Sequence, residues 1–209
     1  MSKGKFIVLE GGDGTGKDTN VACLMKAFPS GVLNFTREPG GTRIGNELRN
    51  LLLNAKSFDM CPKTELLLFY ANRAQHIKEV IAPTLEGGRN VISTRFSLST
   101  LAYQVYGRQQ MKELNLCNML DKDIVGEYVP DLTIFLDLDP FHVMERIHGR
   151  KDENNRFDEE DVAFHERVRG GYLKHLESIP HCVVNTDRPS AEVTADVVNI
   201  VKEFLDQAA

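Results

Sequence analysis

Residues 6–19 read FIVLEGGDGTGKDT, an apolar run that leads directly into a glycine-rich segment. The glycines fit the pattern G-x-x-x-x-G-K, which binds phosphate when a strand precedes it and a helix follows it. Glycine lets consecutive backbone N–H groups converge on phosphate oxygens, and the helix N-terminus adds positive potential. A plain glycine-rich turn is the alternative. We predict a phosphate-binding loop with Lys17 as its mobile cation, formed by Gly11, Gly12, Asp13, Gly14, Thr15, Gly16, Lys17, Asp18 and Thr19.

Four more short apolar runs follow along the chain, at residues 32–36, 90–94, 132–138 and 182–185. They are rich in β-branched and aromatic residues and lack polar alternation, which is typical of parallel strands buried on both faces. Segments with helical spacing of apolar residues separate them. The sequence therefore predicts an α/β fold with a parallel sheet and a ligand site at the carboxyl ends of its strands. We expect residues 1–209 to form a single domain.

Composition and charge exclude several classes of function. The 209 residues carry 25 basic and 30 acidic side chains, a formal net charge of −5, so we expect no nucleic-acid partner. No apolar run approaches the roughly 20 residues of a membrane span, and the N-terminal sequence does not resemble a signal peptide. The four cysteines have no metal-ligand spacing and are interpreted as reduced thiols. These features predict a cytoplasmic protein without membrane association.

Two arginines follow predicted strands at the edge where a ligand should lie. Arg37 belongs to the segment TREPGGT at residues 36–42, and its guanidinium could bind a phosphate bidentately. The segment would also fit a simple Pro-Gly turn. Arg95 belongs to TRFSLSTLAYQ at residues 94–104, where an arginine within reach of a phosphate-binding loop could hold a second phosphate. A surface arginine is the alternative there.

The segment ELLLFYANRAQH at residues 65–76 carries a candidate base-binding pair. Phe69 and Arg73 are four residues apart and share one helix face. An aromatic ring and a guanidinium placed in this way could stack on a nucleobase and hydrogen-bond to it. The aromatic could equally belong to the core, which is the commoner role at helical spacing.

A densely charged stretch at residues 146–169 does not fit the alternation of strands and helices. Gly149 and the pair Asn154-Asn155 interrupt it. One interpretation is a solvated helix hairpin, which is usual for charge runs. The other is a mobile lid whose arginines bind phosphate.

These segments, in order with PDLTIFLDLDP at 130–140 and NRFDEEDVAFHERVRGGYL at 155–173, resemble the thymidylate kinase family of P-loop nucleoside monophosphate kinases. The resemblance implies the three-layer P-loop NTPase fold, with a five-stranded parallel sheet flanked by helices and a short helical lid at about 146–160. It also implies a homodimer. The implied reaction is Mg²⁺-dependent transfer of the γ-phosphoryl group of ATP to dTMP, giving dTDP and ADP for dTTP biosynthesis.

The resemblance also implies roles for individual residues. Lys17 and the amides of its loop would hold the phosphates of ATP, while Arg37 and Arg95 would hold the monophosphate of dTMP. Phe69 would stack on the base, and Arg73 would donate to a thymine carbonyl. The other residues of the implied dTMP site are Asp13, Ser99, Thr100, Tyr103 and Gln104, and the tyrosine would crowd the ribose 2′ position and so favour a deoxy sugar.

Phosphoryl transfer depends on positioning and on neutralising the charge of the moving group. Some family members place a basic residue in the loop for this purpose, but here the equivalent positions are Gly14 and Thr15. We therefore expect the lid to supply the charge. The candidates are Arg146, Arg150 and Arg156, of which the last two flank the Asn-rich part and complete a predicted catalytic set with Lys17 and Arg95.

Two positions depart from the family pattern on the metal side. Thr94 stands where the family usually carries Asp before the arginine of the third strand, and Asp18 stands where the loop usually offers a hydroxyl. We hypothesise that Asp18 replaces the missing acid, because Mg²⁺ favours one or two carboxylates with phosphate and water. Asp13 is the second candidate for the metal side. Alternatively, Asp18 points outward and is stabilised by the helix dipole.

Three other functions remain open from the sequence. The nearest is a broad-specificity deoxynucleoside monophosphate kinase of the phage type. A nucleotide-binding switch is less favoured, because a switch needs no acceptor pocket. A pseudokinase that binds nucleotides without managing Mg²⁺ is the third.

Overall fold

A computed structural model describes residues 3–53, 60–149 and 155–207. Its strands are β1 Phe6–Gly11, β2 Leu33–Arg37, β3 Asn90–Thr94, β4 Leu132–Asp137 and β5 His181–Asn185. They form one parallel sheet in the order β2-β3-β1-β4-β5. This arrangement confirms the predicted five-stranded parallel sheet.

Most strand bounds differ slightly from the prediction. β1 continues to Gly11 because Glu10 and Gly11 pair with Phe135 and Leu136 of β4. β2 begins one residue later than expected, since Val32 is exposed, and extends to Arg37. β4 ends one residue earlier than predicted, and β5 starts one residue earlier.

Helices cover both faces of the sheet. The α-helices are α1 Lys17–Ala27, α2 Arg43–Leu53, α3 Pro62–His76, α4 Ala82–Glu86, α5 Ser97–Thr100, α6 Leu114–Leu120, α7 Pro140–His148, α8 Val162–Leu176 and α9 Ser190–Gln207. Three π-helical segments, Ile77–Ile81, Leu101–Gly107 and Asp121–Val125, and a 3₁₀ turn at Met111–Glu113 complete them. Among the described residues, no helix is long and apolar enough to span a bilayer.

The central strand β1 is buried on both faces. Ile7 and Leu9 join the core that the sheet forms with α1 and α9. Phe6 and Val8 face the opposite layer and pack against Ile77–Ile81 and α4. Alternate residues thus enter different cores, which explains why the strand sequence lacks polar alternation. The result is a three-layer architecture.

The helix that follows β3 is positioned by a close contact with α8. At Gly107, the last residue of the π-helical segment Leu101–Gly107, an added Cβ would lie 2.8 Å from side-chain atoms of Phe164 and Val168. Only glycine permits this approach without a shift of α8. The contact holds Tyr103 and Gln104 near the carboxyl ends of the strands. Both lie in a π-helical segment, and such segments are frequent at functional sites.

Candidate active site

The phosphate-binding loop lies between β1 and α1, as the sequence predicts. Gly14 and Gly16 have φ angles of 76° and 87°, in the left-handed region that favours glycine. Lys17 folds back over the loop, and its Nζ donates to the carbonyl oxygens of Gly11 at 3.0 Å and Gly12 at 2.6 Å. The positive φ angles give the loop a backbone shape of the kind that binds phosphate.

The ammonium group of Lys17 is easily deprotonated in this setting. Removal from water lowers its pKa to about 7, and the positive charge of Arg95 acts in the same direction. The carboxylate of Asp13 opposes this shift. A phosphate bound beside the ammonium would favour the charged form, so anion binding and protonation of Lys17 are coupled.

Asp13 links the phosphate-binding loop to Arg95 and Tyr103, two residues that follow β3. Its Oδ1 accepts from Nη2 of Arg95 at 2.6 Å, and its Oδ2 accepts from the hydroxyl of Tyr103 at 2.7 Å. Burial raises the pKa of Asp13, but the charges of Arg95 and Lys17 outweigh burial and hold the pKa below its usual value. Both carboxylate oxygens are thus engaged by protein groups.

Arg95 is held in a conformation that few arginines adopt, with φ at 67°. Beneath it, the buried carboxylate of Glu10 accepts from the backbone N–H groups of Phe96 at 2.9 Å and Ser99 at 3.2 Å. The hydroxyls of Ser99 and Tyr172 also donate to Glu10, at 2.5 and 3.1 Å. Burial raises the pKa of Glu10 in spite of these bonds. This network fixes the chain on the C-terminal side of Arg95.

A cleft with a cavity volume of about 90 Å³ opens beside these residues. Phe69 and Phe157 line it, with ring centroids 6.4 Å apart. Arg73 also lines it and is buried. Its Nε and Nη2 donate to Glu38 at 3.0 and 2.9 Å, and Nη2 also donates to Thr100 at 2.9 Å. Its Nη1 has no partner among the described residues.

A second, more polar cavity, which we call the phosphate cavity, adjoins the cleft. Its lining includes Asp18, Thr94 and four basic residues, Lys17, Arg37, Arg49 and Arg95. Burial and the charges of Arg37 and Arg95 lower the pKa of Arg49. Four acidic residues, Asp13, Asp18, Glu38 and Asp158, line the same cavity, where Asp13 is paired with Arg95 and Glu38 with Arg73. The cleft and this phosphate cavity share Asp13, Glu38, Arg49, Arg95 and Asn155, so two bound anionic molecules would meet there.

A family model described as thymidylate kinase matches residues 9–197. The chain belongs to the thymidylate kinase family. A thymidylate kinase of Teredinibacter turnerae is 40% identical over 206 residues, which cover 97% of this chain and 99% of that protein. A thymidylate kinase of Clostridium novyi is 37% identical over 207 residues, which cover 97% and 100%. The crystal structure of a thymidylate kinase from Ehrlichia chaffeensis is similar with a TM-score of 0.73 at 28% identity, covering 95% of this chain and 99% of that one.

Membership in the thymidylate kinase family confirms the predicted enzyme class and the P-loop NTPase fold. It also favours the main prediction over the broad-specificity kinase of the phage type.

The thymidylate kinase chain brings eight of the nine predicted dTMP-site residues to the cleft, namely Asp13, Phe69, Arg73, Arg95, Ser99, Thr100, Tyr103 and Gln104. The ninth, Arg37, lines the phosphate cavity instead. Several of these polar groups already have protein partners. Gln104 donates to Glu65 at 2.9 Å, and the hydroxyl of Ser99 donates to Glu10.

Neither Arg146 nor Arg156, the two lid candidates within the described residues, lines the phosphate cavity. Arg156 does not line the phosphate cavity, because its guanidinium pairs with the buried carboxylate of Glu65 and donates to the carbonyl of Leu52 at 2.5 Å. Arg146 lies on α7 and donates to the carbonyl oxygens of Gly14 and Thr186. Arg150 lies outside the described residues.

The residues of this thymidylate kinase site that were missed from the sequence include Glu38, Arg49 and Glu10. Glu38 and Arg49 line both cavities, and Arg49 donates to the carbonyl of Pro39 at 2.8 Å. Glu10 lies below Arg95. The signal for Glu10 was its position inside an apolar strand, where a carboxylate requires donors. Glu38 had no comparable signal, because it lies between Arg37 and a Pro-Gly turn rather than inside an apolar strand.

Proposed function

We propose that this thymidylate kinase transfers the γ-phosphoryl group of ATP to dTMP, giving dTDP and ADP. The observation that carries the acceptor assignment is the placement of Arg73 and Phe69 together in the cleft, with the guanidinium fixed by Glu38 and Thr100. A guanidinium at this position can donate to a carbonyl oxygen of a bound base. Phe69 in the same cleft offers a ring on which a base can stack.

The 4-carbonyl group of thymine suits this donor better than the 4-amino group of cytosine, because a guanidinium can only donate. Tyr103 supports the choice of a deoxy sugar. Its ring lies against Phe157 and Phe164, with centroids 5.5 and 6.0 Å away, and its hydroxyl is held by Asp13 and Arg95. A side chain held by these four contacts has little freedom to move away from an additional hydroxyl group.

The chemistry rests on positioning and charge. The loop N–H groups and Lys17 bind the donor phosphates, and Arg37, Arg49 and Arg95 bind the acceptor phosphate across the shared wall of the two cavities. We propose Lys17 and Arg95 as catalytic residues because Lys17 lines the phosphate cavity and Arg95 lines both cavities. Partners that fix Arg95 reduce the reorganisation needed when charge develops in the transition state.

Mg²⁺ fits this site through Asp18 rather than Asp13. Asp18 lines the phosphate cavity together with Thr94, is exposed, and makes no hydrogen bond within the described part of the chain. Asp13 has both carboxylate oxygens engaged by Arg95 and Tyr103. One carboxylate with phosphate oxygens and water is a common Mg²⁺ environment. When bound, the ion neutralises phosphate charge, while Asp18 holds it near the loop.

We further propose that residues 1–209 form one domain, with a lid at about 146–160. The single sheet supports one domain. Arg150 and Arg156 are proposed to supply transition-state charge from the lid. For Arg156 this requires release from Glu65, whereas Asn155 already lines both cavities.

We also propose a cytoplasmic homodimer. The support for the dimer is the set of exposed large apolar side chains on α2 and α3, Ile44, Leu51 and Leu67. All four cysteines are free, which is typical of a reducing compartment. Sedimentation equilibrium should give twice the 23.5 kDa of one chain, and a mass of one chain at micromolar concentration would contradict the dimer.

A coupled assay of ADP formation tests the reaction. The acceptors are dTMP, dUMP, dCMP and dGMP, each with the wild type and with Arg73→Ala. We expect the wild type to prefer dTMP, and we expect the variant to lose the preference for dTMP over dCMP while still binding ATP. Equal wild-type turnover of a purine monophosphate would refute the thymine assignment. No ADP and dTDP at saturating Mg²⁺ would instead support the pseudokinase.

A further inference from the structure

We propose that His76 is a positioning residue that fixes the phosphate-binding Arg37 and the base-binding Arg73 at once. The inference deepens the proposed function, because it rests on the acceptor roles given to these two arginines. His76 is the last residue of α3 and is fully buried. It lines neither the cleft nor the phosphate cavity, so it acts through other residues.

Both ring nitrogens of His76 are bonded to residues that flank Arg37. Nε2 lies 2.6 Å from Oγ1 of Thr36, and Nδ1 lies 2.9 Å from Oε1 of Glu38. Residues 36 and 38 of an extended chain project to one side, and residue 37 projects to the other. A single imidazole therefore holds both neighbours of Arg37 and directs the arginine away from α3, toward the phosphate cavity that it lines.

The second connection runs through Glu38 to Arg73. Oε1 of Glu38 is bound by His76, and Oε2 is bound by Arg73 through Nε at 3.0 Å and Nη2 at 2.9 Å. Because a carboxylate only accepts, Nδ1 of His76 carries the proton. With both oxygens fixed, Glu38 holds the guanidinium of Arg73 beside the cleft that this residue lines.

The surrounding contacts leave the imidazole little room to move. An added Cβ at Gly41 would lie 2.6 Å from Cδ2 of His76, so the loop backbone packs directly against the ring. Asn72, one helical turn earlier on α3, exchanges hydrogen bonds with the backbone N–H and carbonyl of Gly40, at 3.2 and 3.3 Å. The end of α3 thus holds the loop after β2 from one side.

Two amide substitutions separate the two connections. In His76→Asn the amide can replace Nδ1 and keep the bond to Glu38, but it does not reach Thr36. In His76→Gln the amide can replace Nε2 and keep the bond to Thr36, but Glu38 loses a donor. Thr36→Val removes the same hydroxyl contact without altering the histidine, and it serves as the matched control.

Two ratios report the two connections separately. The ratio of the Kd of thymidine to that of dTMP measures the contribution of the phosphate, which Arg37 binds together with Arg49 and Arg95. The ratio of kcat/KM for dTMP to that for dCMP measures the contribution of Arg73. Loss of one hydrogen bond corresponds to about a fivefold change. We expect His76→Asn and Thr36→Val to lower the first ratio about fivefold, and His76→Gln to lower the second by a similar factor.

The double variant His76→Asn/Thr36→Val should show the same first ratio as either single variant, because both remove one interaction. The proposal is overturned if both ratios stay at wild-type values in all variants, or if they fall together in proportion to lost thermal stability. Should the histidine variants not fold, Thr36→Val alone decides through the first ratio. A wild type without dTMP turnover would instead refute the proposed function.

Discussion

Nη2 of Arg156 lies 2.6 Å from Oε2 of Glu65, so an ion pair connects the segment that begins at Asn155 to the first turn of α3. Glu65 is buried, and its other oxygen accepts from Gln104 at 2.9 Å. The guanidinium of Arg156 also lies 4.6 Å from the ring centroid of Phe157, which lines the cleft. This pairing places Arg156 beside Glu65 and Phe157 rather than at the phosphate cavity.

The first prediction concerns the role of Arg156 once its guanidinium has left Glu65. If Arg156 supplies charge to the transition state, Arg156→Ala should lower kcat by at least 100-fold, with a smaller change in the KM of dTMP. Arg108 also approaches Glu65, at 3.4 Å, but it lines neither cavity, so Arg108→Ala is the matched control and should change kcat less than fivefold. A raised KM with unchanged kcat for Arg156→Ala would assign the residue to the acceptor side alone.

The second prediction follows from the pKa of Lys17, lowered to about 7. At pH 8 the lysine is mostly neutral in the free enzyme, and phosphate raises its pKa, so binding of Mg-ATP takes up close to one proton. Uptake should fall toward zero at pH 6, where the ammonium is already present. Calorimetry in buffers of different ionisation enthalpy measures it. Lys17→Arg, which stays protonated, should show no such uptake; equal uptake in both proteins would contradict the prediction.

The third prediction tests Asp18 as a relocated acid. Asp18→Thr should raise the Mg²⁺ concentration needed for half-maximal rate, and adding Thr94→Asp should restore it, because both residues line the same cavity. The double-mutant cycle is read from Mg²⁺ titrations at saturating ATP and dTMP. Additive effects would show that the two positions are independent and that Asp18 serves only the helix dipole.

The fourth prediction uses two adjacent glycines of α8. At Gly171 an added Cβ would lie 2.9 Å from Cβ and Cγ of Tyr106, whereas at Gly170 no atom lies within 4 Å. Gly171→Ala should therefore destabilise the fold by about 1–3 kcal/mol through overpacking. Gly170→Ala should stabilise it by about 0.5–1 kcal/mol through helix propensity. Urea unfolding measures both, and effects of the same sign would contradict the packing of α8 on Leu101–Gly107.

The sequence predicted those features that local chemistry determines. The glycines of the loop, the apolar strands and the i, i+4 pair of Phe69 and Arg73 each carry their own signal, and the structure has them at the carboxyl edge of the sheet. The π-helical segment Leu101–Gly107 had no such signal, because it depends on the approach of α8 at Gly107.

The partners of the charged groups were equally inaccessible from sequence. Arg156 was expected at the phosphates because the lid is rich in arginine, yet it pairs with Glu65, 91 positions away along the chain. Likewise, the helical pattern of residues 65–76 gives no indication that His76 meets Thr36 and Glu38. Pairing between distant side chains depends on the packing of whole elements, which local periodicity does not encode.

The hydrogen bond from Tyr172 to Glu10 joins residues 162 positions apart. During synthesis, β1 and the phosphate-binding loop leave the ribosome long before α8 exists, and domains form only once their distant segments are available. Arg95 gains its Tyr172 contact, and Glu10 its last donor, only when most of the chain has emerged. A nascent fragment therefore contains the nucleotide-binding motif without an assembled acceptor side. The complete site forms late in synthesis, when these long-range contacts close.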